Sequence, residues 1–133
     1  KRFMKGTALF PGSFDPFTLG HKFVVDQGLE LFDRIVIAIG VNSEKAGLLT
    51  PDNRARLIRD LYRGEPRIEV RIYTELTGQL CRQLGVKTIL RGLRNTVDFE
   101  YERNIMQVNR ALFPEINTVL LFTRPITWPS RRA

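Results

Sequence analysis

Cysteine, histidine and tryptophan occur once each in 133 residues. A lone Cys81 excludes an internal disulfide and any zinc site built on several thiolates. No apolar run approaches the roughly 18 residues of a membrane span, and the basic start KRFMKGTALF meets a Pro-Gly turn too early for a signal peptide. Neither G-x-x-x-x-G-K-[ST] nor G-x-G-x-x-G is present, which weighs against a P-loop or a dinucleotide-binding turn. No repeat, low-complexity run or Pro/Ser-rich linker divides the chain, so residues 1–133 read as a single domain. The expected location is the cytoplasm, with no membrane partner.

What the chain has is apolar mass and positive charge. At 43% apolar residues it holds enough for a real core, with roughly 70% of the surface buried at this size. The net charge of +7 and a pI near 10.2 point to a phosphate-bearing partner: a nucleotide, a phosphorylated metabolite or a nucleic acid. Charge alone does not choose among them, and Arg124, Arg131 and Arg132 place three of the positive charges in the last ten residues.

Short runs rich in β-branched residues at Thr7 to Phe10, Arg34 to Gly40, Arg67 to Tyr73, Lys87 to Leu90 and Thr118 to Phe122 predict buried strands. Helical patterns separate them. His21, Val24, Val25, Leu29 and Phe32 share one face. Thr50-Pro51 reads as an N-cap with Pro at the first helical position, opening a helix with Leu57, Ile58, Leu61 and Tyr62 inward. Leu76, Leu80 and Leu84 recur before a Gly85 stop. Val97, Tyr101, Ile105, Val108 and Leu112 mark a fourth helix, with Asp98, Glu100 and Glu102 near its start where the helix dipole favours acids. Strands alternating with helices predict an α/β fold, a Rossmann-like doubly wound sheet of about five parallel strands. Ligands of such sheets gather at the carboxyl ends of the strands, beside helix N-termini.

The unusual residues fall there. PGSFDPFTLGH, Pro11 to His21, follows the first strand, and Thr18-x-Gly20-His21 opens a helix with the only imidazole at its mouth. A lone histidine more often caps or packs a helix; the glycine before it and PGSFDP before that favour donation to a phosphate oxygen. Arg91-Gly92-Leu93-Arg94 follows the fourth strand and offers two guanidinium groups for bidentate phosphate contact. Asp98 and Glu102 either orient these arginines, read a base and ribose, or complement the dipole. Lys45, in NSEKAG after the second strand, reads by itself as a surface lysine.

Together PGSFDPFTLGH, the Lys45 loop, ILRGLRNTVDFEYE and MQVNRALFPEINTVLLF resemble the bacterial phosphopantetheine adenylyltransferases, of the nucleotidyltransferase superfamily marked by (H/T)-x-G-H. The likeness runs from about Ala8 to about Phe122. It implies transfer of the adenylyl group of ATP to 4′-phosphopantetheine, giving dephospho-CoA and pyrophosphate with Mg²⁺, in a hexamer, with CoA as a possible feedback ligand. Position by position it implies His21 as the catalytic group at the α-phosphate, and Ser13, where the family usually has Thr, as the hydroxyl contacting both substrates. Lys45, Thr77 and Arg91 would hold the phosphopantetheine. Ser13, Phe14, His21, Gly92, Leu93, Arg94 and Glu102 would bind ATP. No metal-ligating residue of the chain is assigned.

The resemblance stops after Thr123. The family continues through a Ser-rich loop of the type I-S-S-S and a C-terminal helical region, whereas this chain reads RPITWPSRRA. Two extra bases, TG, inserted after ACC in a coding stretch ATC ACC GCC ATC TCG TCG AGC reproduce Ile-Thr-Trp-Pro-Ser-Arg-Arg-Ala when C follows. We therefore expect residues 128–133 to be frame-shifted, and the C-terminal helical region and the phosphate-binding serines to be absent.

Two alternatives stand beside this expectation. One is a related nucleotidyltransferase with another phosphorylated acceptor. The other is a basic nucleic-acid-binding module, disfavoured because only 10% of residues are aromatic and no RNP-like or zinc-finger pattern appears.

Overall fold

Ile35 to Ile39 form an unbroken apolar run and all five side chains are buried, the mark of a strand covered on both faces. The computed structural model describes residues 6–41 and 47–123, with backbone alone at 96 and 97. The elements are β1 (Thr7–Gly12), α1 (Leu19–Leu31), β2 (Arg34–Gly40), α2 (Pro51–Leu61), β3 (Ile68–Tyr73), α3 (Thr77–Leu84), β4 (Thr88–Leu93), α4 (Thr96–Leu112) and β5 (Asn117–Phe122). The five strands pair in parallel in the order β3-β2-β1-β4-β5. The α/β expectation holds.

The strand order reverses between β1 and β4. These two pair through Ala8↔Thr88 and Leu9↔Ile89 only, although β1 runs on to Gly12 and β4 to Leu93. Beyond Leu9 the ladder opens, and such a reversal is where α/β sheets hold ligands. One core lies under α1 and α2, around Phe10, Val25, Ile37, Ile58 and Leu90; the other lies under α3, around Leu9, Val36, Leu80, Ile89 and Phe113. A Cβ at Gly28 would meet Leu90 Cδ1 at 2.8 Å, so glycine is what lets α1 approach the sheet this closely.

Local signals place the helix ends. Thr50 accepts from the Asn53 N–H at 3.2 Å, with Pro51 in the first turn. Gly85 ends α3 with φ 71°, the left-handed region that favours glycine. At the amino end of the sheet Arg67 donates from Nε to the Asp33 carbonyl at 2.9 Å and from one terminal nitrogen to Phe32 and Leu29 carbonyls. A cation thus closes the C-terminal turn of α1, where the helix dipole is negative.

Two expectations need correction, the direction of part of α2 and the end of the fourth strand. Leu57 and Leu61 do not turn inward but stay 47% and 48% exposed, because α2 packs through Ala55, Ile58 and the stem of Arg54. The apolar stripe of α4 also faces out, with Tyr101, Val108 and Leu112 all more than half exposed. Among the described side chains of α4, Glu102 alone is buried. The fourth strand, expected to stop at Leu90, continues to Leu93, since Arg91, Gly92 and Leu93 pair with Leu120, Leu121 and Phe122.

Candidate active site

Thr18-Leu19-Gly20-His21 occupies the N-cap and first three positions of α1. The Thr18 hydroxyl accepts from the His21 N–H at 3.3 Å, and the His21 Nδ1 accepts in return from the Thr18 N–H at 2.9 Å. This is a capping box with an imidazole in the place usually held by Glu or Gln. The spacing of the motif follows from it: a side chain three residues after the cap is the one that reaches back to the cap's N–H. Because Nδ1 receives a backbone hydrogen, the neutral ring carries its proton on Nε2. Burial, and the Arg94 guanidinium, hold the imidazole pKa below its ordinary 6.5. His21 is therefore a neutral ring with one donor, Nε2–H, at the edge of a cleft.

Three phenylalanines seat that ring. Phe14 meets it edge-on with centroids 4.9 Å apart, Phe17 lies at 5.3 Å and Phe10 at 6.1 Å. A cleft of about 430 Å³ opens over Phe10, Phe14 and His21, lined also by Pro11, Gly20, Arg91, Arg94, Asp98, Tyr101 and Glu102. A Cβ at Gly20 would meet only Thr18 Oγ1 at 3.6 Å, so the space above this residue is open. Gly92 is different: a Cβ there would press on Val24 and Thr123 at 2.9 and 3.0 Å, which makes this glycine a packing requirement of β4.

A second cavity of about 200 Å³ adjoins the first and shares Pro11, Arg91 and Glu102 with it. Its lining is mainly apolar, from Leu76, Ile89, Ile105, Met106, Val108, Leu112 and Phe113, with Thr77 and Asn109 as polar groups. The outward stripe of α4 thus supplies one wall. At the boundary between the cavities Arg91 donates from Nε and NH2 to the two oxygens of Glu102, both at 2.8 Å, and Glu102 is 8% exposed. Arg94 donates to Asp98 from its Nε at 2.9 Å and from its backbone N–H at 3.0 Å. The arginine holds the Asp98 carboxyl below the ordinary carboxylate range. Of the roles open to the two acids in the sequence, orienting the arginines is the one the geometry displays.

The sheet therefore brings Phe14, His21, Arg91, Gly92, Arg94 and Glu102 to one cleft and Thr77 to its neighbour. Ser13 is exposed between the lining residues Gly12 and Phe14 without being part of either lining, and its carbonyl accepts from Arg54 at 3.4 Å. Leu93 is 4% exposed and its carbonyl accepts from Thr123, so its side chain belongs to the core. Lys45 and the tail 124–133, with its frame-shift expectation, lie outside the described residues. Sequence reasoning missed Asp15 and Arg54, whose ion pair ties the loop after β1 to α2, while Asp15 also accepts from Leu48 and Leu49 in the loop before that helix. The signal was the acid in PGSFDP; the partner, 39 positions on, had none.

Comparison with known proteins completes this picture. The cytidylyltransferase-like family profile matches residues 9–128. The phosphopantetheine adenylyltransferase of Flavobacterium psychrophilum is 48% identical over 120 residues, which cover 90% of this chain and 79% of the relative. That of Bacteroides fragilis is 47% identical over 118 residues, 89% of this chain and 78% of the relative. The chain belongs to the phosphopantetheine adenylyltransferase family. Among solved structures, the lipopolysaccharide core biosynthesis protein of Thermoplasma volcanium shares the fold at TM-score 0.61 and 17% identity, over 88% of this chain and 94% of that one. The nicotinic acid mononucleotide adenylyltransferase of Plasmodium falciparum shares it at TM-score 0.54 and 14% identity, over 93% and 77%. For a phosphopantetheine adenylyltransferase family member, the His21 capping box and the Arg91–Glu102 boundary are the parts of the site that its own sequence builds most completely.

Proposed function

We propose that this protein transfers the adenylyl group of ATP to 4′-phosphopantetheine, releasing pyrophosphate and forming dephospho-CoA. The observation that carries the proposal is the pair of joined cavities, one polar with Arg94 and the neutral donor His21, one apolar, meeting at Arg91. A nucleotide suits the first. A long, weakly polar arm ending in a phosphate suits the second, its arm along Leu76, Val108 and Leu112 and its phosphate toward Arg91. The names of the relatives agree with the activity.

In the reaction a phosphate oxygen of the acceptor forms a bond to the α-phosphorus while the bond from that phosphorus to the α,β-bridging oxygen breaks, and pyrophosphate departs. The nucleophile is already ionised near neutral pH, so no strong general base is required. The protein has to bring two polyanions together and stabilise charge on the α-phosphate. His21 Nε2–H, Arg94 and the N–H groups of the first turn of α1 supply donors. Arg91 anchors the acceptor, held in plane by Glu102, which supports a positioning role for Glu102 beside the ATP contact expected of it. Ser13 and Phe14 offer backbone and hydroxyl donors.

Among the described residues no group of His, Cys, Asp and Glu is arranged to hold a metal ion, and Asp98 and Glu102 are engaged by arginines. Magnesium fits this site as a part of the MgATP substrate, on phosphate oxygens and water. We propose further a cytoplasmic homohexamer in which CoA, carrying the same pantetheine arm, competes for the apolar cavity. The exposed apolar side chains support burial in an assembly, and among the described residues no helix is long and apolar enough to cross a membrane.

Pyrophosphate release with ATP and 4′-phosphopantetheine as sole substrates tests the activity. Release that requires both supports it; release with a different phosphorylated acceptor and none with this one overturns it. ATP-Mg²⁺ or CoA should also raise the melting temperature at modest concentration. Stabilisation by duplex DNA alone, falling steeply with salt, would favour the nucleic-acid module instead.

A further inference from the structure

Phe14 has φ 51°, the left-handed region that a bulky residue seldom adopts without something to hold it there. Its neighbours on both sides are held. Arg54 donates from NH1 to the Ser13 carbonyl just before it and from Nε to the Leu49 carbonyl at 2.9 Å. The Asp15 carboxylate just after it accepts from the Leu48 N–H at 2.7 Å and the Leu49 N–H at 2.9 Å, and lies 3.5 Å from an Arg54 terminal nitrogen. The two side chains are 15% and 9% exposed, so water offers them little replacement for these partners. Gly47 packs its backbone on the pair so closely that a Cβ would overlap both charged groups.

Resting on the adenylyl-transfer reading, we propose that Asp15 and Arg54 are positioning residues: they clamp the strained Phe14 and through its ring set the His21 imidazole against the α-phosphate. The chain of contacts is short. The clamp brackets one peptide, that peptide carries Phe14, and the buried Phe14 ring meets His21 edge-on at 4.9 Å and Phe10 at 5.2 Å. Neither charged group lines the cleft, so they act on the reaction only through what they hold. Freed from the clamp, Phe14 would relax toward negative φ and take its ring away from the imidazole.

The test compares Asp15→Asn and Arg54→Lys with Glu115→Gln, which cuts the remote surface pair with Arg82. Rates are divided by the folded fraction from circular dichroism, and the His21 ring nitrogens are read by nitrogen-15 NMR. We expect kcat to fall about a hundredfold, the scale of a roughly 1 Å misplacement, with KM for ATP rising by much less than kcat falls, shifted His21 ring signals and faster amide exchange at Leu48 and Leu49. Glu115→Gln should change none of these. Wild-type kcat per folded molecule in Asp15→Asn, or unmoved ring signals, overturns the proposal. Should Asp15→Asn not fold, Arg54→Lys carries the same expectations, since it keeps the charge but loses the fork that reaches two carbonyls. A wild-type protein that releases no pyrophosphate refutes the functional reading instead; the ring signals and amide exchange of the two variants then decide the clamp by themselves.

Discussion

Arg67 and Arg91 are the same residue at opposite ends of one sheet. Arg67 spends its guanidinium on the Leu29, Phe32 and Asp33 carbonyls, at a helix end that is negative already. Arg91 stands at the end where helix N-termini add positive partial charge, and one buried carboxylate, Glu102, balances it. The first arrangement is electrostatically complete. The second pairs Arg91 with Glu102 and Arg94 with Asp98, so its side-chain charges balance, and what it leaves for an anion are the Nε2–H of the neutral His21 and the N–H groups of the first turn of α1. One end of the sheet is finished by folding; the other is finished by substrate.

Substitutions at the two ends should therefore fail differently. His21→Ala removes the donor proposed to face the reacting phosphorus and should cost about 3–4 kcal/mol of transition-state stabilisation, read as a collapse of kcat with ATP affinity almost intact. Turnover near wild type would remove His21 from its role. At the other end, Arg67→Ala should cost about 2–3 kcal/mol of stability, the scale of hydrogen bonds from a charged group. Its turnover per folded molecule should match wild type; a large loss of turnover would blur the distinction between the ends.

Glu102→Gln sharpens the contrast within the carboxyl end. It keeps the shape beside Arg91 but loses the charge-assisted fork, and the acceptor KM should rise about tenfold, or roughly 1.4 kcal/mol. An unchanged KM would make the pair a purely structural contact. The smallest effect is the pH dependence of stability carried by His21. Its native pKa lies below the ordinary 6.5, so the unfolded chain takes up a proton first as pH falls. The stabilisation is full above 6.5 and is lost progressively below it, down to the native value. Melting curves of His21→Gln against wild type should show this slope flattened in the variant; a parallel slope would show that the ring is not held neutral.

Much of the fold was legible because its signals are local. Short β-branched runs, Thr50-Pro51 and Gly85 each fix a strand or a helix end through bonds made within a few residues. Thr18-Leu19-Gly20-His21 was legible for the same reason, since a capping box closes inside one turn. The α4 stripe marked a helix but not its surroundings, because periodicity reports that a face is apolar and not what covers it. Here the face borders a cavity, and the sheet buries Glu102 instead. The acidic residues of α4 showed the same limit: their place near a helix start suited the dipole, and only the fold showed that Asp98 and Glu102 grip Arg94 and Arg91.

The amino-acid sequence alone determined the α/β alternation, the imidazole at a helix mouth and an arginine pair at the carboxyl end of the fourth strand, because each depends on neighbours in the chain. Tertiary structure decided that β1 and β4 part beyond Leu9 to open a cleft, that two cavities share Arg91, and that Asp15 meets Arg54. Those contacts join residues tens of positions apart, and no local pattern encodes a distance that only the folding of the sheet brings to a few ångströms.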